Sequence, residues 1–284
     1  LFAVNLPFGV LTFFLARRYL PGNPTRVEGR RFDFPSAVLN ALTFGLFIGC
    51  VEAFSHGLSF RWIVAGVVLL AGIGTVFVRR QLRQPYPMLP FDLLRIPVFS
   101  LSVLTSILSF TSQMLGMVAL PFMFHLTFGM SAAETGLLMT AWPLVIVVAG
   151  PLAGTLATKI HPGLLGGVGL LVMSVGCFLL ADVSPSVGYG GLVARLMLCG
   201  FGFGLFQSPN NHLLLSSAPS YRTGGASGMQ ATARLVGQTT GAALVALLFY
   251  LNGDRAPHAA MWLAGGFTLC GSLVSCSRLR AHRF

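Results

Sequence analysis

Gly200–Gly241 reads GFGFGLFQSPNNHLLLSSAPSYRTGGASGMQATARLVGQTTG, and its arrangement decides the fold class. An apolar helix ends in a polar patch, a short loop follows, and a second helix opens with Arg234 near its middle. Small residues recur at four-residue spacing, at Gly224/Gly228 and at Ala233/Gly237/Gly241. In lipid this spacing lets helix backbones approach closely. An arginine inside a span is costly and is expected to face a protein interior or a watery cavity. The GFGFG run at Gly200–Gly204 has no preceding strand and no acidic partner downstream, so it reads as helix packing and not as a nucleotide loop.

Composition agrees along the rest of the chain. Of 284 residues, 55% are hydrophobic and 9% charged, and the mean hydropathy is +0.80. A soluble domain carries about a quarter charged residues. The chain is expected to be an all-α integral membrane protein, with the lipid bilayer as its surroundings. The net charge of +11 gathers in alternate connections, a topology signal and not a nucleic-acid patch. Cys50, Cys177, Cys199, Cys270 and Cys276 fall within apolar runs, which supports neither a metal site nor a disulfide framework.

Apolar runs predict about nine transmembrane helices. They cover Leu1–Tyr19, Phe34–Phe54, Phe60–Val78, Val98–Leu126, Ala132–Thr158, Gly163–Ala181, Tyr189–Leu215, Gly224–Leu251 and Pro257–Ser277. Arg17, Arg18, Arg26, Arg30, Arg31, Arg79, Arg80, Arg83, Arg95, Lys159, Arg222, Arg278, Arg280 and Arg283 fall on one side, with only Arg61 and Arg255 opposite. The first residue is therefore expected outside and the C-terminus in the cytoplasm. The Pro-rich connection Gln84–Pro97 suggests a boundary, with 1–97 before it and a six-helix bundle, 98–284, after it.

Polar residues within the spans mark a candidate cavity. Ser102, Thr105, Ser106, Ser109, Ser112 and Gln113 share one helix face, with Phe110, Met114 and Met117 as adaptable neighbours. Such hydroxyls either line a cavity or bond back to their own or a neighbouring helix. Gln230, Arg234 and Gln238 form a second stripe at i, i+4 and i+8. The substrate-cavity candidates are Ser106, Ser109, Phe110, Gln113, Met117, Gln230, Arg234 and Gln238. Pro143, Pro151 and Pro209 interrupt spans. Gln207, Asn210, Asn211 and His212 read as interfacial polar residues.

Embedded carboxylates are nearly absent, which leaves Glu52 and Glu134 as proton-coupling candidates. A GxSG pattern, Gly225–Gly228, and His258 invite a serine-protease reading. Ser227 and His258 open consecutive spans at opposite faces, separated by a core of about 30 Å, so no enzyme is expected.

Several segments together resemble the fourteen-span drug:proton antiporter branch of the major facilitator superfamily. FAVNLPFGV resembles that branch's sixth span, FDFPSAVLNALTFG its seventh, and PMLPFDLLRIPVFS its linker into the ninth. AGPLAGTLATKIHP resembles the second-half echo of the gating loop, with Thr158-Lys159 where an acid and an arginine commonly stand. The quoted Gly200–Gly241 block resembles the twelfth and thirteenth spans and is the most specific match. The resemblance implies a C-terminal portion, spans six to fourteen, of a major-facilitator-type helical bundle. It implies export of lipophilic or cationic toxic compounds by alternating access, driven by a proton gradient and without a cofactor. The missing N-terminal half would be needed for a complete transporter in the cell membrane. The alternatives are a major-facilitator transporter of another small solute, or a non-transporting membrane assembly component.

Overall fold

The computed structural model describes residue 3 and residues 5–19, 33–55, 59–84, 87 and 89–281. Every element among these is helical. By contacts the chain divides into two units, Leu1–Phe34 and Pro35–Phe284. In the first, helix α1 (Asn5–Tyr19) is apolar on all sides and exposes Leu6, Phe8, Phe13 and Phe14. The basic loop expected after it lies outside the described residues.

The second unit holds α2 (Phe34–Ser55, but for its first residue), α3 (Phe60–Arg83), α4 (Pro97–Phe128), α5 (Ala132–Met139), α6 (Ala141–Leu156), α7 (Pro162–Ala181), α8 (Tyr189–Ser216), α9 (Thr223–Asn252) and α10 (Ala256–Ala281). Set against the expected nine spans, six stretches of the described residues are long and apolar enough to cross a membrane. The last of these, Ser220–Leu279, contains α9 and all but the last two residues of α10. This is an integral membrane chain.

Neighbouring packing runs from α9 to α4, α10, α7, α8 and α6 in turn. Close approach depends on small residues. A Cβ on Gly237 would stand 2.7 Å from the Ile107 carbonyl oxygen, and one on Gly241 2.6 Å from that of Thr111. The Ala233/Gly237/Gly241 spacing is thus the seam of α9 against α4. The GFGFG glycines work in alternation: Gly200 abuts the Trp142 backbone of α6, Gly202 the Met173 backbone of α7, and Gly204 again α6 at Ala149. Between α7 and α10, serine hydroxyls donate to facing glycine carbonyls, Ser174 to Gly265, Ser272 to Gly167 and Ser275 to Gly163, each at 2.8 Å.

Two expected spans are redrawn. The fifth is broken at Thr140 into α5 and α6, because Pro143 has no N–H to continue the ladder and its ring conflicts with the carbonyl four residues back. The ninth runs past Ser277 to Ala281, so Arg278 belongs to a helix and not to a tail. Its side chain is only 1% exposed.

At the end of the bundle where α3 passes to α4 and α8 to α9, Phe77, Leu89, Leu93, Phe99, Leu214, Ala226 and Met229 form one apolar cluster. An ion pair joins the two connections there. Arg222 donates to both carboxylate oxygens of Asp92, from Nη2 to Oδ1 at 3.0 Å. The guanidinium beside Asp92 holds its carboxyl below the ordinary value of 3.8.

Candidate functional site

A cavity of about 250 Å³ lies between α4, α8 and α9, lined by Phe110, Gln207, Asn211, Ser227, Gln230, Ala231 and Arg234. Helical periodicity produces it. Gln230 and Arg234 are one turn apart on α9, as Gln207 and Asn211 are on α8. Phe110 comes from α4 and is held edge-to-face against Phe203, with ring centroids 5.6 Å apart. The Ser227 hydroxyl donates to the Thr223 carbonyl at 3.0 Å, which leaves its oxygen lone pairs available. Among the described residues, the side chains of Arg234, Gln207, Asn211 and Gln230 have no hydrogen-bond or ionic partner. Three carboxamides and a guanidinium therefore converge on the cavity with their hydrogen-bonding capacity unused.

The other expected cavity residues lie elsewhere. Ser106 is fully buried and accepts from Asn210 Nδ2 at 2.8 Å. Ser109 is fully buried and donates to the Ser106 carbonyl at 3.0 Å. Gln113 and Gln238 are half-buried, and Met117 is exposed. None of these five is among the cavity's lining residues. The first hydroxyls of the α4 stripe meet a cation that α10 carries to them. Arg278 donates to Ser102 (3.1 Å), Asn210 Oδ1 (2.8 Å), Thr105 (3.3 Å) and Ser275 (2.7 Å). Ser102, Thr105 and Ser275 in turn donate to backbone carbonyls, so each accepts from Arg278 without conflict. The two Nη atoms of this buried guanidinium are thus solvated by neutral groups, with no carboxylate beside them among the described residues.

Neither proton-coupling candidate enters the cavity's described lining. The Glu134 carboxylate closes a capping box at the start of α5, accepting from the Ser131 backbone N–H and hydroxyl, both at 2.8 Å. The Glu52 side chain lies outside the described residues. His258 bonds to the Ala181 carbonyl through Nδ1 at 2.9 Å and faces Thr127 through Nε2 at 3.5 Å, while Ser227 belongs to the cavity. No cluster of three or more metal-ligating side chains occurs among the described residues.

Gln207 and Asn211 are the site residues that a linear reading misses, since a polar run at a helix end reads as interfacial. Their spacing of four, matching Gln230/Arg234, is the signal that would have found them.

A second hollow of about 560 Å³, between α4 and α5, is lined by Pro121, Phe122, His125, Met130, Ala132, Thr135, Gly136 and Met139. It is larger but mostly apolar, and His125 Nδ1 is already 3.2 Å from the Met130 carbonyl. Convergent unpartnered polar groups favour the smaller cavity as the candidate site.

Comparison with known proteins agrees with this helical architecture. The family model for the Major Facilitator Superfamily matches residues 1–242 and 101–282. The chain belongs to this superfamily of transporters. It is 49% identical over 283 residues to the uncharacterized transporter YebQ of Escherichia coli strain K12, covering 100% of this chain and 62% of YebQ. It is 28% identical over 255 residues to the multidrug efflux pump LfrA of Mycolicibacterium smegmatis, covering 87% of this chain and 49% of that pump. With the riboflavin transporter RibZ of Clostridioides difficile it shares 26% identity over 253 residues, 88% of this chain and 54% of RibZ. The chain therefore spans between about half and 62% of the length of these relatives.

Proposed function

We propose that this chain is the C-terminal portion of a proton-coupled exporter of lipophilic toxic small molecules, working by alternating access in the cell membrane with its C-terminus in the cytoplasm. The observation that carries the reading is the α4–α8–α9 cavity, where Phe110 offers an aromatic wall and Gln207, Asn211, Gln230 and Arg234 offer unpartnered polar groups. A small number of convergent polar groups is what fixes the orientation of a small molecule in its site. The similarity to LfrA, a multidrug efflux pump, supports the substrate class. The similarity to RibZ, a riboflavin transporter, favours a second reading, export or uptake of another aromatic solute.

On this proposal residues 98–284 act as one body, built as two inverted triplets of spans, which rocks against the rest of the transporter. The whole chain would supply nine of fourteen spans. No cofactor enters; the proton gradient supplies the energy. The described carboxylates Asp33, Asp92, Glu134, Asp182 and Asp254 all stand at helix ends or in connections, so we place the proton-carrying acid outside this cavity.

Dye efflux from energised vesicles bearing the full-length gene product tests the reading. Export abolished by a proton uncoupler is the expected result. Export indifferent to the uncoupler overturns the coupling, and no export of any lipophilic dye overturns the exporter.

A further inference from the structure

Charge at the cavity wall bears on which small molecules it admits. Among its described lining residues the single charged side chain is Arg234, and no carboxylate stands among them. Arg234 is exposed to the cavity, and neither an acid nor a carbonyl among the described residues satisfies its guanidinium. It sits eleven residues into α9, about 17 Å along the axis from Thr223. Arg278, also within an apolar spanning stretch, shows how this bundle surrounds the Nη atoms of a guanidinium with neutral oxygens. Arg278 is buried against four neutral side chains that point their oxygens at it. Among the described residues no such shell surrounds Arg234.

We propose that the cavity binds the carboxylate of an aromatic small-molecule anion, with Arg234 as the paired cation, Gln207, Asn211 and Gln230 as amide donors, and Phe110 against the aromatic body. Guanidinium forms two parallel hydrogen bonds to a carboxylate, which sets orientation as well as affinity. The three carboxamides each carry an N–H₂ that reaches an oxygen the fork leaves free. Phe110 is held in a T-shaped pair with Phe203, so a planar substrate meets a wall that is already fixed. A cationic substrate would meet a like charge there, with no carboxylate among the described lining residues to offset it. The inference rests on the cavity being the substrate site and adds the charge of what enters it.

The test uses matched probes, 1-naphthoate and 1-naphthylmethylammonium, which share a ring and differ in charge. Binding is measured by calorimetry on the full-length protein in phosphatidylcholine nanodiscs. Naphthoate is expected to bind at least about tenfold more tightly than the ammonium, a difference of about 1.4 kcal/mol. R234Q is expected to weaken naphthoate by about tenfold or more and to leave the ammonium unchanged or tighter, with R234K intermediate. Equal or tighter binding of the ammonium by the wild-type protein overturns the inference without recourse to any variant. So does naphthoate binding that survives R234Q in protein with wild-type elution and melting behaviour.

Discs containing phosphatidylglycerol separate a soluble anion from a lipid headgroup. Unchanged naphthoate affinity assigns the site to the soluble molecule, and competitive loss assigns it to the headgroup and overturns the substrate. Vesicle export of the two probes separates this inference from the exporter reading. Export of the ammonium without naphthoate binding sinks the inference alone, whereas naphthoate binding without export of either probe sinks the exporter and leaves the anion site standing.

Discussion

Arg278 Nη1 donates to Asn210 Oδ1 at 2.8 Å, and the same asparagine returns its amide to Ser106 at 2.8 Å. This chain of bonds crosses from α10 through α8 to α4. Ser102 and Thr105 accept from Arg278 and donate to their own helix, and Ser275 accepts from Arg278 and donates to α7, so these three hydroxyls share one consistent direction. The arrangement gives the buried Ser102, Thr105 and Ser106 of α4 their partners across the bundle. A guanidinium in a bundle core needs oxygens, and here neutral side chains supply them.

Arg278→Met is expected to destabilise the protein by about 2–3 kcal/mol, because Asn210 Oδ1 is left buried without a donor. Arg278→Lys is expected to recover part of this, since an ammonium cannot reach all four oxygens at once. Thermal unfolding of the full-length protein in detergent measures both, and an unchanged Tm in Arg278→Met contradicts the assignment.

Gly237→Leu or Gly241→Leu is expected to force α9 off α4, with loss of folded protein, since even a Cβ there falls within 3 Å of the α4 backbone. Gly224→Ala lies in the same helix with nothing within 4 Å of the added carbon. It is expected to be neutral or to stabilise by up to about 1 kcal/mol through helix propensity. Yield of monodisperse protein distinguishes the two sites.

The Asp92–Arg222 pair predicts an acid dependence. Asp92 titrates lower in the folded protein than its ordinary 3.8. Its stabilising contribution is therefore fully present above that value and is lost as pH falls through the lower folded value. The pair is partly exposed, so the effect is expected to stay below about 1 kcal/mol. Asp92→Asn should remove this component from the melting-versus-pH curve below pH ~3.8, and an unchanged curve would argue against the pair.

Gln207→Leu and Asn211→Leu are expected to lower export of a transported dye several-fold while leaving the Tm within about 2 °C, because neither amide has a protein partner to lose. Gln113→Leu, outside the cavity, is the control and should export as wild type. Equal export by all three would show that the cavity does not carry substrate.

Much of the fold was legible in the chain itself. Apolar length, the basic connections and the Ala233/Gly237/Gly241 spacing are local properties, and lipid enforces them one helix at a time. Within the candidate site, Phe110, Gln230 and Arg234 were equally legible, as unusual side chains at helical spacing. The break at Thr140 was half-visible, since Pro143 marks a disruption without saying whether the helix bends or ends.

The direction in which polar residues point was not legible. Sequence places Ser106 among the cavity candidates and Gln207, Asn210 and Asn211 at the interface, whereas Gln207 and Asn211 line the cavity and Ser106 and Asn210 are buried away from it. Helix α10 decides among them by carrying Arg278 to Ser102, Thr105 and Asn210, residues 176, 173 and 68 positions away in the chain. The sequence by itself thus determined a membrane-embedded helical bundle and its close-packed seams, because burial in lipid depends on composition and period. Only the tertiary structure decided which arginine is enclosed by partners and which stands open to a cavity, because a guanidinium's partners are set by which helices meet.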